Sequence, residues 1–384
     1  MTIDLMAGGD LILDEPEPDR FFEGSRALLA RADVLVGHVE VPHTSATVST
    51  STDVPAPPAD PEHLAALTRA GFDVVTLAGN HVHDLGSTGV LDTVRHVRAL
   101  DLVPAGAGAT LAEARRPAVV ERSGLRFAVL SYNCVGPRES WAGSAKAGAA
   151  YVRVLTHYEL DYASPGGPPE IFTFADPASL ARLADDVAEA RQLADVVMVG
   201  LHKGVGHTPA ALAMYESPLA RAAVDAGADV VVGHHAHILR GIEVYRGRPI
   251  FHGLGNFVTV TRALSPSGDD ADRRRWAERR QQLFGFVPDP RMPTFPFHPE
   301  SRNTVVARCR FDRHGRLVGA AAHPCWIEED GTPVALDPGP AADAVLDYVE
   351  DITARAGLST RYLRQDGVLL LADVGPDAEA PGRR

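Results

Sequence analysis

Three apolar runs in this chain end in histidine. Val230-Val231-Val232 leads through Gly233 into His234-His235-Ala236-His237, Val74-Val75-Thr76-Leu77-Ala78 leads into Gly79-Asn80-His81, and Val196–Leu201 leads into His202. An imidazole at the end of a buried strand brings a donor and an acceptor that must be satisfied. A single histidine there is ordinarily a satisfied or capping residue. His235 and His237, one residue apart, can instead point at a common cation, and neutral imidazole is a ligand for zinc, iron, nickel and copper. Three strands that each end in a potential ligand predict one metal site at one edge of a sheet.

The elements that must carry these residues alternate. Ile3–Met6 reads as a strand followed by a glycine-loosened turn, Ala7-Gly8-Gly9-Asp10, that presents Asp10, and Val34-Leu35-Val36 is a strand that leads into Gly37-His38-Val39-Glu40. Helical spacing marks His63–Ala70, Gly86–Leu100, Pro177–Ala194 and Ser217–Ala226, each feeding or following a buried strand. Strand–helix alternation predicts an α/β sheet with its ligands in the crevice at the carboxyl ends of the strands. From Leu239 onward, paired runs around Arg246-Gly247-Arg248 and His314-Gly315 predict antiparallel hairpins. Two segments read as insertions in a domain spanning 1–335: an irregular one near 138–175, and a charged, proline-rich one near 262–300 read as a solvated surface excursion. The expected remainder, 336–384, is a C-terminal helix and a disordered tail.

Composition narrows the function classes. The 384 residues carry 45% hydrophobic and 23% charged side chains, ordinary for a globular protein with a large core. A formal charge of −13 argues against nucleic acid and against anionic membranes as partners. Cys134, Cys309 and Cys325 are too few and too scattered for a disulfide framework, which points to free thiols in a reducing compartment. The opening Met1-Thr2-Ile3-Asp4-Leu5-Met6 has neither the basic nor the apolar region of a signal peptide, and the expected location is cytoplasmic. A homo-oligomer is left open.

The ordered set Gly9-Asp10, Glu40, Gly79-Asn80-His81 with Asp84-Leu85-Gly86, His202 with Gly204, Gly233-His234-His235-Ala236-His237, Gly241-Ile242-Glu243-Val244 and Gly255-Asn256-Phe257 resembles the CapA family of poly-γ-glutamate (capsule) synthesis proteins, a branch of the calcineurin-like metallophosphoesterases. The resemblance implies a four-layer αββα sandwich of two mixed sheets with one or two divalent metals at the strand ends. It implies that Asp10 and His237 hold one metal, that Asn80, His202 and His235 hold the other, and that Glu40 bridges them. His81, steered by Asp84, would act as a general acid beside a metal-held hydroxide. Two departures stand out: Asp10-Leu11-Ile12 lacks the histidine of the wider superfamily's first motif, and the bridging Asp of the second is replaced by His38 or Glu40.

Five further residues are candidates for the metal or the pocket: His38, Lys203, His207, His234 and His252. The histidine-rich set favours manganese, iron or zinc over magnesium, which prefers oxygen ligands. Two functions remain open. One is a soluble metal-dependent hydrolase acting on a compact anionic substrate, a phosphoester or an amide such as a γ-glutamyl bond, with Lys203 and His207 binding the anion. The other is a non-catalytic accessory metalloprotein in polymer synthesis.

Overall fold

Alternating side chains of the valine-rich runs serve two different cores, which is why nearly every residue in them is apolar. In the computed structural model, which describes residues 2–51, 56–159, 169–262, 265 and 271–375, these runs build two large sheets. The larger has 10 strands, ordered 362–365, 368–371, 317–327, 303–312, 2–13, 34–39, 74–76 and 103–105, with 256–260 and 333–335 paired beside this path. The smaller has 6, ordered 239–245, 248–254, 230–235, 196–203, 125–133 and 118–122. In the smaller sheet parallel pairing holds the centre and antiparallel strands close both edges, whereas in the larger 2–13, 34–39, 74–76 and 103–105 run parallel and the half from 303–312 to 362–365 is antiparallel, so both sheets are mixed.

Leu5, Ala7, Val34 and Val36 of the larger sheet meet Val129, Val196, Met198 and Val232 of the smaller in the central core. The intervening Met6 and Leu35 face a second core under Leu67, Val90 and Val94. Val197, Val199 and Val231 face a third, under Leu183, Val187 and Leu219. Helix, sheet, sheet, helix is the layer order that the family resemblance implies. The helix Pro177–Leu193 starts where it should, with Pro177 in its first turn and the Asp176 carboxylate accepting from the Ser179 amide.

Four expectations need correction. Ala7–Asp10 is no turn: the first strand runs unbroken from Thr2 to Leu13 with a register shift at Asp10. Gly9 permits this because a Cβ there would lie 2.1 Å from the Gly255 carbonyl oxygen, so only glycine lets the neighbouring chain approach. Within 138–175, the described parts are not irregular throughout, since Val154–Glu159 pairs antiparallel with Glu170–Ala175. The 262–300 segment is solvated only in part where it is described: Arg275, Glu278, Arg279, Gln281 and Gln282 are exposed, but Phe286, Met292, Phe295 and Phe297 are buried, and Arg280 is buried with its guanidinium donating to the Pro296 carbonyl. Finally, 336–375 is built into the rest. The Pro340–Arg355 helix puts Val345, Leu346, Val349 and Ile352 into the central core, and 362–365 and 368–371 extend the larger sheet. The tail expected to be disordered, 376–384, lies outside the described residues.

Candidate metal centre

Sheet register assembles the site. Across the larger sheet, Asn256, Asp10, His38 and Thr76 stand in one row; across the smaller, Asn133, His202 and His234 stand in another. Both rows lie toward the carboxyl ends of parallel strands, where an α/β sheet opens a crevice. Val34–Val39 is longer than its apolar core suggests, so His38 lies within the strand. Glu40, two residues on, shares its face.

The side chains converge on Glu40. Its Oε2 lies 3.3 Å from His38 Nε2, and its Oε1 lies 3.6 Å from His202 Nε2 and 3.7 Å from His237 Nε2. Asp10 Oδ1 is 2.8 Å from His234 Nδ1, and Asp10 Oδ2 is 3.5 Å from His237 Nδ1. Two groups result whose ligand atoms all lie within 4.8 Å of one another: His38, Glu40 and His202, and Asp10, Glu40 and His237. Glu40 belongs to both. His202 Nε2 also sits 2.8 Å from Asn80 Oδ1. His235 donates its backbone N–H to Asp10 Oδ2 at 3.3 Å, and its ring centroid is 4.8 Å from that of His202. His235 and His237 both hold the left-handed backbone region, φ 87° and 52°, costly for residues with a Cβ and a mark of functional sites.

The electrostatics fit cations. Burial, then the Asp10 charge, pushes the Glu40 carboxyl up to about 7. Burial also raises Asp10, but the His234 hydrogen bond and the neighbouring imidazoles outweigh it and leave that carboxyl below its usual range. Burial drives His38 down to about 4 and holds His202 and His234 below the ordinary imidazole value. Neutral imidazoles facing carboxylates are the ligand state that divalent metals need. Both Glu40 oxygens and His38 Nε2 are buried without a hydrogen-bond partner of good geometry in the protein. That is a costly state for a carboxylate, and one a bound cation would relieve.

Beside this cluster, His81 Nδ1 lies 2.8 Å from Asp84 Oδ2 in a short turn after the Val74–Thr76 strand. A histidine held by a carboxylate three residues on has a fixed ring and a fixed tautomer.

Two candidates belong elsewhere. Lys203 follows His202 on the same strand and must face the opposite side. It is fully buried, with Nζ 2.9 Å from Glu216 Oε2 and 3.1 Å from His252 Nδ1, and His252 Nε2 is 3.0 Å from Glu243 Oε2. Neither Lys203 nor His252 points into the metal cluster, so the anion-binding role expected of Lys203 is withdrawn. His207 does stand at the site, but as a wall. Its ring packs 4.9 Å from Phe286, 5.0 Å from Phe284 and 5.9 Å from His237.

Sequence reading gave no role to two positioning residues. Asn256 Oδ1 is 2.8 Å from His237 Nδ1, and Thr76 Oγ1 is 3.0 Å from His38 Nδ1. Gly255-Asn256 repeats the Gly79-Asn80 pattern, which was the available signal.

Residues 4–261 match the family described as bacterial capsule synthesis protein PGA_cap. The chain belongs to this family. It is 30% identical to the PGA biosynthesis protein CapA of Bacillus subtilis over 259 residues, 66% of this chain and 61% of that protein. It is 32% identical to the capsule biosynthesis protein CapA of Bacillus anthracis over 197 residues, 51% of this chain and 42% of that one. A probable polyglutamine synthesis accessory protein of Mycobacterium tuberculosis is 34% identical over 206 residues, 52% of this chain and 48% of that protein. The aligned part thus spans about half the length of these relatives, from 42% to 61%. Among solved structures, the calcineurin-like phosphoesterase YfkN of Bacillus subtilis aligns over 92% of this chain and 97% of its own at 11% identity, with a TM-score of 0.37. That likeness is too low to carry a functional argument. No helix among the described residues is long and apolar enough to cross a membrane.

Proposed function

We propose that this chain is a metal-dependent hydrolase with a two-cation centre, acting on an anionic substrate through a phosphoester or an amide of the γ-glutamyl type. The observation that supports this reading is the sharing of Glu40 by two ligand groups, His38–Glu40–His202 and Asp10–Glu40–His237. Divalent cations held there would polarise the attacked group and lower the pKa of water. Asn80 and His235 both stand beside His202, ready to complete its set, Asn256 and Thr76 orient His237 and His38, and the carboxylate of Asp10 keeps His234 turned inward.

His81 supplies the proton. Its Nδ1–H donates to Asp84, which stabilises the imidazolium and leaves Nε2–H to protonate the departing oxygen or nitrogen. His207 with Phe284, Phe286 and Phe297 walls the His237 side and restricts water there.

The test is elemental analysis of purified protein with manganese, iron and zinc added, followed by phosphoester and γ-glutamyl substrate panels. His81→Ala should keep its metal and lose activity by about 10² to 10⁴, the range for general acid–base catalysis. Full activity in that variant would remove His81 from the reaction. A non-catalytic accessory role is the second reading, supported by the printed name of the Mycobacterium relative. Tight metal binding without turnover in either panel would favour it.

A further inference from the structure

The strand pair Val154–Glu159/Glu170–Ala175 stands apart from both large sheets. Each strand pairs only with the other among the described residues, so both outer edges are open. A two-stranded ribbon is marginal by itself, and an open edge is a template for another chain unless charge or proline defends it. Here it is not defended. Residues 154–158 and 171–175 contain no Asp, Glu, Lys, Arg or Pro, and Tyr158 is 62% exposed, Ile171 53% and Phe174 49%.

Backbone parity decides which groups face outward. The Asp176 amide donates to the Arg153 carbonyl, so Arg153, Leu155, His157 and Glu159 turn their backbone polar groups toward 170–175. Val154, Thr156 and Tyr158 turn theirs away. Charge then selects a partner. Within one strand pair Glu159 stands directly opposite Glu170, a like-charge pairing that destabilises it. At the other end of the same strand, Arg153 lines a cleft of about 550 Å³ together with Arg138, and no aspartate or glutamate lines it. Arg153 forms no ion pair with a carboxylate among the described residues. One strand thus carries an uncompensated cation at its start and an uncompensated anion at its end, which is self-complementary when the strand is laid antiparallel on its own copy.

We propose that two copies of this chain pair antiparallel along Val154–Glu159, with Thr156 opposite Thr156 of the second copy. This register sets outward-facing residues against outward-facing ones: Val154 meets Tyr158 of the second copy, a favoured pair of β-branched and aromatic side chains. It also sets Arg153 directly opposite Glu159 of the second copy, at both ends of the interface, and brings that carboxylate to the acid-free cleft. The equivalent pairing along 170–175 would set Glu170 opposite Asp176 of the second copy, so that edge repels its own kind and assembly stops at two.

Sedimentation velocity of the full chain from about 1 to about 300 µM, the affinity range of a small non-obligate interface, should show monomer passing to dimer. Thr156→Pro removes an outward amide that the ribbon does not use, and should weaken association by at least about tenfold at unchanged melting temperature. Glu159→Arg, which can pair with Glu170 of its own chain, should also lose the dimer without losing stability. R153E/E159R, which exchanges the two charges, should restore it. Thr156→Cys should cross-link into a covalent dimer under mild oxidation, because directly opposite hydrogen-bonded residues lie about 5.5 Å apart at Cα, and Thr173→Cys should not. Monomer at every concentration, assembly beyond two copies, a dimer that survives Thr156→Pro, no restoration by charge exchange, or cross-linking through position 173 would each overturn the proposal. None of these measurements reads turnover, so they stand or fall apart from the hydrolase reading.

Discussion

Two buried polar clusters sit back to back on one strand, and they are built on opposite principles. His202 faces the first, where Glu40, Asp10 and five histidines crowd together with carboxylate oxygens and ring nitrogens left without hydrogen-bond partners. Lys203 faces the second, where Lys203, Glu216, Arg240, His252, Glu243 and Arg221 form a continuous chain of ion pairs and hydrogen bonds. The second cluster is nearly closed: its buried cations Lys203 and Arg240 face Glu216 and Glu243, and among its buried side-chain atoms Arg240 Nε alone lacks a hydrogen-bond partner among the described residues. Glu216 also accepts from the Ala213 amide, and Arg240 donates to the carbonyls of Val205 and Ala211, so the network pins the segment that carries His207. The first cluster is incomplete by itself and asks for positive charge. Burial of polar groups therefore does not by itself mark a site; lack of internal partners does.

The largest effect should come from opening the closed cluster. Glu216→Ala strands Lys203 and Arg240 in a site that excludes water, and breaking a buried pair in this way costs about 3–5 kcal/mol. Urea unfolding in chelator should show that loss, and adding metal should not alter it. A loss below about 1 kcal/mol, the scale of exposed ion pairs, would mean water reaches the network.

The incomplete cluster should respond in the opposite sense. Glu40→Gln removes a buried carboxylate from a crowded acidic site, so the metal-free protein should be no less stable than wild type. Wild type at a free metal concentration of 100 Kd should gain about 2.7 kcal/mol from linkage, and Glu40→Gln and His202→Ala should lose most of that gain. Thermal melts with and without manganese, iron or zinc give the comparison. Equal shifts in Glu40→Gln and wild type would place the cation elsewhere.

A smaller effect separates the two faces kinetically. Lys203→Met should lower stability but leave KM for any anionic substrate within about twofold, because its ammonium is spent on Glu216. A rise in KM without a change in melting temperature would return Lys203 to the pocket.

In the candidate metal centre, His202 and His237 were legible because each imidazole follows an apolar run, whereas Asp10, Glu40 and Asn80 entered through the family resemblance. Asp10 was placed at a turn, yet it lies inside the strand Thr2–Leu13. Lys203 was misplaced although the signal was present: strand neighbours point to opposite faces, so a metal-facing His202 sends Lys203 away. His38 and Glu40 were treated as alternatives, yet spacing by two puts both on one face. The wall of Phe284, Phe286 and Phe297 was hidden for a different reason. Its aromatics stand in a stretch without helix or strand period, where only tertiary packing decides what is buried.

The smallest effect tests whether the closed cluster holds a neutral imidazole. Burial, then the Lys203 charge, takes His252 down to about 4, despite Glu243 and Glu216 pulling it up. The folded pKa lies below the unfolded value of about 6.5, so the unfolded chain binds more protons in between. This contribution is complete above pH 6.5 and is lost as pH falls toward 4. From pH 6.5 to 5.5 it amounts to about 1 kcal/mol. Urea unfolding of wild type and His252→Gln at those two pH values, in chelator, isolates it, because the other buried histidines titrate alike in both. The variant should lose about 1 kcal/mol less than wild type over that interval. Parallel losses would mean that the fold leaves His252 at its unfolded pKa, and a larger loss in the variant would mean that His252 is protonated in the fold and shares the Glu243 charge with Arg221.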